Sequence, residues 1–226
     1  MKLNTYARLA GLTYIIVILL GVFSVNFIES NLIVQNDKAA TYSSIMENVF
    51  LFRISLVSEA FMYLLVIILS LSLYVVLKTV DKNLALLALI WRVAEAIIGA
   101  AAVIISGLIP LAFINKEIAF SSEQVQSLLK LFLDIRIYGL DIVLMFVGVG
   151  GTVFCYLFYK SCYVPKILSG WGIATYLSML LLSFISLLST NFPETYKMIF
   201  YVPGGLFELI FGFWLLVRGV NTKYFS

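Results

Sequence analysis

Residues 49–77 read VFLFRISLVSEAFMYLLVIILSLSLYVVL. Only Arg53 and Glu59 interrupt an otherwise uncharged stretch. A helix crosses the ~30 Å hydrocarbon layer with about 20 apolar residues. This run is therefore long enough to span a membrane, and also to tilt or project beyond it. Five more such runs lie at about 11–28, 84–114, 137–159, 167–190 and 198–217. The expected fold is all-α: a polytopic transmembrane bundle of six spans, with residues 1–226 forming one membrane domain. The whole chain agrees. It is 62% hydrophobic and 12% charged, with a mean hydropathy of +1.06, whereas soluble domains carry about 25% charged residues. A soluble globular domain and a disordered chain are excluded. So is a nucleic-acid partner, because the net charge is only +3 and no basic run exists. The bilayer is the expected partner.

Lys2 and Arg8 precede the first run, as in a signal peptide. No small-residue cleavage site follows near 24–30, so the run reads as an uncleaved first helix. Orientation follows from the basic residues. With the N-terminus inside, the inner segments hold eight bases (Lys2, Arg8, Lys78, Lys82, Lys160, Lys166, Arg218, Lys223) against the single acid Asp81. The outer segments hold four bases (Lys38, Lys116, Lys130, Lys197) and seven acids (Glu29, Asp37, Glu47, Glu117, Glu123, Asp134, Glu194). A plasma-membrane protein with both termini cytoplasmic is expected. Trp91, Trp171 and Trp214 then fall in the inner halves of their helices.

There is no histidine, which removes the commonest catalytic base and metal ligand. Cys155 and Cys162 form no Cys-x-x-Cys pair and read as structural. No metal site and no cofactor is expected. In the outer loops, Asp37 and Glu47 read as solvated surface. Ser121 with Gln124 resembles a capping box, and Val125, Leu128, Leu129, Phe132 and Ile135 follow at helical spacing. This segment reads as an amphipathic helix lying on the outer surface, or else as an extension of the fourth span; the surface-lying connector is the preferred reading.

Seven charges remain inside the apolar runs: Arg53, Arg92, Arg136, Glu59, Glu95, Asp141 and Glu208. Each is costly there, roughly 2.5–3.5 kcal/mol even on lenient scales, so each should face the interior and find a partner. A rise of ~1.5 Å per residue puts Glu59, Glu95 and Glu208 near the middle of the core and Asp141 shallower. Arg53 and Arg136 lie near the outer surface, within snorkelling reach. Arg92 and Glu95 are three apart and share a face. Glu59, Glu208 and Asp141 need partners across the bundle. With one deep arginine among them, at least one of the mid-depth carboxyls is expected to be neutral.

These charges fall on stripes of small or polar residues. The third span gives Arg92, Glu95, Gly99, Ala102 and Ser106, and the fourth gives Tyr138, Asp141, Met145, Gly148, Thr152 and Cys155. Ser55, Glu59 and Met62 continue the pattern on the second span, Thr175, Ser178, Ser186 and Ser189 on the fifth, and Gly204, Glu208 and Gly212 on the sixth. Small residues let helices approach, and hydroxyls bond between them. The pattern fits tight structural packing or a polar midplane pocket, with the pocket favoured. The candidate ligand- or proton-binding residues are Arg92, Glu95, Glu59, Glu208, Asp141, Tyr138, Arg53 and Arg136. A faint repeat also relates Glu59, Tyr74 and Lys78 to Asp141, Tyr156 and Lys160 at one offset of 82 residues, with Arg53 and Arg136 one place off.

A resemblance runs through the chain. Its stretches are Ala7-Arg8-Leu9-Ala10-Gly11-Leu12, Phe52-Arg53-Ile54, Leu73-Tyr74-Val75-Val76-Leu77 and Asn83-Leu84-Ala85-Leu86-Leu87 leading into Arg92-Val93-Ala94-Glu95-Ala96. Further on come Tyr138-Gly139-Leu140-Asp141, Tyr163-Val164-Pro165-Lys166-Ile167-Leu168, and Glu208 followed by Trp214-Leu215-Leu216-Val217-Arg218-Gly219-Val220-Asn221. In order and spacing the chain resembles domain-of-unknown-function family 4386, small prokaryotic multi-pass membrane proteins. The resemblance implies that membrane fold and brings no catalytic residue with it.

Three functions are weighed. The first, and preferred, is binding or ion/proton-coupled transport of a small hydrophobic or ionic ligand, using midplane carboxyls that change protonation. Against transport, no span shows a Gly/Pro-broken centre; Pro110, Pro165, Pro193 and Pro203 read as helix ends or loops. The second is an accessory or structural membrane subunit whose buried charges only fix helix pairing. The third is an intramembrane enzyme on a lipid-like substrate, with Asp141 and Glu208 as acid and base near Tyr138. No nucleophile motif supports it, so an enzyme is the less favoured reading.

Overall fold

The computed structural model describes residues 3–24, 30–34, 37–114, 121–189, 192 and 194–221. The helices are α1 (Leu3–Val22), α2 (Ser30–Leu32), α3 (Lys38–Glu47), α4 (Val49–Leu77), α5 (Lys82–Val103), α6 (Ile109–Ile114), α7 (Ser122–Ser161), α8 (Lys166–Leu188) and α9 (Glu194–Val217). A π-helical turn, Ile104–Leu108, joins α5 to α6. Six of the helical segments are long and apolar enough to cross a membrane. They are the six expected spans, with shifted ends. The first begins at Leu3 rather than Gly11, and residues 25–29 at its expected end lie outside the described residues, as do Lys2, Lys116, Glu117, Pro193 and Lys223.

The spans pack in chain order as a closed ring: α1 on α4, α4 on α5, α5 on α7, α7 on α8, α8 on α9, and α9 back on α1. Lipid supplies no hydrophobic drive for this packing, so close contact of small residues must supply it. Glycines mark the tight contacts. A Cβ on Gly11 would lie 2.4 Å from the Leu216 nitrogen and 2.5 Å from the Gly212 oxygen, so α9 meets α1 backbone to backbone. Large side chains such as Phe50, Val57 and Leu181 face outward, as a lipid-facing surface requires.

Hydrogen bonds knit the end of the ring that carries both termini. Val220 N–H donates to Asn4 Oδ1 at 2.9 Å, Asn221 N–H to the Tyr163 carbonyl at 3.0 Å, and Thr79 and Tyr163 share a hydroxyl contact at 3.1 Å. Gly219 has φ +66, and a Cβ there would sit 2.7 Å from Asn4 Oδ1. Asp81, the one acid expected at this end, caps α5 by accepting from Asn83 N–H and Leu84 N–H. At the opposite, distal end, Asp37 caps α3 through the Ala40 N–H, a more specific role than solvated surface.

Three expectations are corrected. The segment from Ser121 is not a separate surface-lying connector; it runs unbroken into the fourth span as α7, 40 residues and about 60 Å long. Its capping box is formed as read, with Ser121 and Gln124 bonding reciprocally. No turn residue separates it from the span, so the helix continues. Pro203 lies inside α9 rather than at its end. Pro110 lies in α6, two residues beyond the π segment. A proline has no N–H for the carbonyl four residues back and its ring crowds that carbonyl, here Ser106, so the helix widens next to it.

The outer part of α7 packs with the α2–α3 hairpin as a cap over the distal end. Leu32, Ile45, Phe52, Leu56, Val103, Leu111 and Leu129 form its core. A second, larger core fills the terminus-bearing end of the ring. Tyr63 packs against both.

Candidate functional site

The buried charges resolve into two layers. The first lies about 14–17 Å along each helix from the terminus-bearing end, near the middle of a membrane-thick bundle. Tyr14 on α1, Arg92 on α5, Tyr176 on α8 and Glu208 on α9 meet there. The Tyr176 hydroxyl donates to Glu208 Oε1 at 2.7 Å. It lies 3.1 Å from the Tyr14 hydroxyl. Having given its one proton to Glu208, Tyr176 must accept from Tyr14, so the chain has a direction: Tyr14 to Tyr176 to Glu208. α1 and α8 are not neighbours, so this chain crosses the ring's interior.

Arg92 and Glu95 form an ion pair of 2.8 Å, both about 95% buried. The i,i+3 spacing sets their approach. The Arg92 nitrogen and Glu95 Oε2 nonetheless lack a directional hydrogen bond, so charge rather than a well-aimed N–H holds them. Arg92 also lies within electrostatic reach of Tyr14, Tyr176 and Glu208. Glycines seat the cluster. A Cβ on Gly150 would meet the Arg92 stem at 2.9 Å, and one on Gly151 would meet the Tyr176 ring at 2.6 Å. Cys155 is buried behind the cluster and free, and Cys162 is free near the helix end.

The second layer lies toward the distal end. Glu59 on α4 pairs with Arg136 on α7, and Ser24 donates to the same carboxylate oxygen at 3.0 Å. Glu59 is about 27 Å along α4 from the terminus-bearing end. It is therefore not level with Glu95 and Glu208. Counting from Val49 makes it level with them only because α4, at 29 residues, is longer than the ~30 Å hydrocarbon layer is thick. Asp141 on α7 accepts from Ser186 on α8 at 2.7 Å and pairs with Lys197 on α9 at 3.2 Å. Lys197 was expected in an outer loop. α9 instead begins at Glu194, which carries Lys197 into the bundle, 5% exposed. Glu59 on α4 and Asp141 on α7 are thus each held by a base on the next helix running the same way. Glu208 breaks the pattern because it lies a layer deeper.

Beside Glu59 and Arg136 is a cavity of about 280 Å³, between α1, α4, α5 and α7. Met62, Ala102, Val143 and Leu140 make its walls apolar; Glu59, Arg136, Ser24 and Ser106 supply polar groups. Ile33 and Leu133 from the distal cap complete it. Its floor is the Tyr63 ring on Gly99, where a Cβ would overlap the ring at 2.1 Å. Gly99 is one turn from Glu95, so the floor separates the cavity from the midplane cluster.

Of the sequence candidates, Arg92, Glu95 and Glu208 come together at the midplane, Glu59 and Arg136 at the cavity, and Asp141 at a third point. Tyr138 and Arg53 are exposed on the bundle's outside and join none of these groups. Tyr14, Tyr176, Tyr63, Ser24 and Lys197 were not singled out. A tyrosine inside an apolar run carries no periodic mark of its own. Among the described residues no group of three or more Cys, Asp or Glu is placed to hold a metal ion.

A ring of six apolar helices, with every charge inside its apolar runs except Arg53 turned inward, defines an integral membrane protein. The chain belongs to the family described as Domain of unknown function (DUF4386), whose model matches residues 9–219. No curated protein and no solved structure matches it.

Proposed function

We propose that the protein binds a small amphiphile inside the plasma membrane, in the cavity beside Glu59 and Arg136. The carrying observation is that cavity: about 280 Å³ of space with apolar walls and one opposed pair of charges. Binding sites combine mainly apolar lining with a few polar groups that fix orientation. A polar head would meet Arg136, Glu59 and Ser24, and an apolar tail would lie along Met62, Ala102 and Leu140. The excess of bases at the terminus-bearing end supports a cytoplasmic position for both termini. The cavity then lies toward the outer leaflet. Arg92, Glu95 and Glu208 stand a layer deeper, and Asp141 with Lys197 ties α7 to α9.

The test is thermal unfolding of the purified protein with short-chain carboxylates, lysophospholipids and alkylammonium compounds. A ligand at 100 times its Kd stabilises by about 2.7 kcal/mol, or about 5–11 °C at this chain length. At least one class should raise the midpoint in the wild type and fail to do so in Ala102→Phe, which fills the cavity. Equal effects in both proteins would refute the site.

A further inference from the structure

We infer that the midplane cluster is a proton-binding site, with Glu208 as the acceptor and the Tyr14–Tyr176 hydroxyl chain as its hydrogen-bonded lead. The inference stands apart from the cavity and its occupant.

The charges of the cluster do not balance among themselves. The groups that face one another here are Tyr14 from α1, Arg92 and Glu95 from α5, Cys155 from α7, Tyr176 from α8 and Glu208. One of these is a fixed cation and two are carboxyl groups. Arg92 lies against Glu95 at 2.8 Å and balances it. Among the described residues Glu208 has no ion-pair partner, only the Tyr176 hydroxyl. A second uncompensated anion in this interior is expensive. The cluster therefore calls for one further unit of positive charge.

A proton fits this place better than a metal ion does. A metal cation would need several oxygen ligands and would sit beside the Arg92 guanidinium, which repels it. A proton needs neither: it joins a Glu208 carboxylate oxygen covalently, turning –COO⁻ into –COOH. The neutral carboxyl keeps an acceptor oxygen for Tyr176. The hydroxyl chain also has a direction. Tyr14 donates to Tyr176 and Tyr176 donates to Glu208, so the two hydroxyls form an ordered line ending on the acceptor. The unfilled hydrogen-bonding capacity of the buried Arg92 nitrogen and Glu95 Oε2 shows a cluster not saturated by its own side chains. Protonation changes the charge at the point where α1, α8 and α9 are joined.

Infrared difference spectroscopy of the purified protein between neutral buffer, in which exposed carboxyl groups are ionised, and alkaline buffer tests this. The wild type should show the carbonyl stretch of a protonated carboxyl group, moved by D₂O and lost at alkaline pH. Glu208→Gln should abolish the band, Glu208→Asp should keep it, and Tyr176→Phe should move it without removing it. Folding is checked on each sample by tryptophan fluorescence. A band that survives Glu208→Gln, or a folded wild type without one at any pH, overturns the assignment. Loss of the band on replacing choline chloride by sodium chloride would overturn it in favour of a metal cation. If Glu208→Gln does not fold, the Glu208→Asp and Tyr176→Phe spectra decide: a band unaltered in both places the proton elsewhere.

Discussion

Replacing Gly11 by alanine tests how the ring closes. The added Cβ would stand 2.4 Å from the Leu216 nitrogen, 2.5 Å from the Gly212 oxygen and 3.0 Å from the Leu215 carbonyl carbon. All three are backbone atoms, so no side chain can rotate away. To reach ordinary contact, near 3.4 Å, α1 and α9 must part by about 1 Å. Overpacking of this kind costs roughly 1–3 kcal/mol. Alanine also gains about 1 kcal/mol of helix propensity over glycine, so the comparison needs a glycine with room around it. Gly170 and Gly205 have nothing within 4 Å of an added Cβ. Propensity then cancels, and the overpacking term remains. It corresponds to an unfolding midpoint lower by about 2–12 °C in Gly11→Ala than in either control. Trp214, on α9 beside the contact, reports the transition by fluorescence in detergent. Equal midpoints for Gly11→Ala, Gly170→Ala and Gly205→Ala would refute backbone closure of α9 on α1.

Other outcomes follow from the ion pairs and thiols. Lys197→Met leaves Asp141 buried and unpaired and should destabilise by about 3–5 kcal/mol; adding Asp141→Asn should recover part of that loss in a double-mutant cycle of unfolding midpoints. Glu59→Gln removes a charged partner from Arg136, whose side chain is still 18% exposed, so a smaller loss of about 1–3 kcal/mol is expected in the same assay. Tyr176→Phe deletes the donor to Glu208 and should lower stability by about 1–3 kcal/mol. Thiol labelling should modify Cys162 and spare Cys155, which is 1% exposed. If the termini are cytoplasmic, a membrane-impermeant maleimide will reach Cys162 only after cells are opened; labelling of intact cells would reverse the orientation.

The spans were legible because a membrane helix must satisfy its backbone internally and show lipid an apolar surface, and both demands write themselves into composition. Val49–Leu77 was read to its ends. The capping box at Ser121 was legible because two side chains at fixed spacing make it. What followed it was not, since an amphipathic helix on a surface and one continuing into a span share a sequence pattern. Helix ends decided two of the misplacements. Lys197 looked like loop because the apolar run starts after it, yet α9 starts before it. Glu59 looked central because depth was counted from one end of a helix longer than the membrane is thick. The identity of buried acids was legible from their cost in lipid, and their grouping was not: which carboxyl meets which base depends on helix rotation and ring order. The tyrosines were illegible for a chemical reason. Their rings count as apolar, and only the fold reveals where the hydroxyls point.

The central claim is that the interior of the ring holds a ligand site beside Glu59 and Arg136. Native mass spectrometry of the gently extracted protein, wild type against Ala102→Phe, tests it most directly. The account predicts a small-molecule adduct retained by the wild type and absent from the folded cavity-filled variant. The same adduct at the same occupancy on both proteins would contradict it.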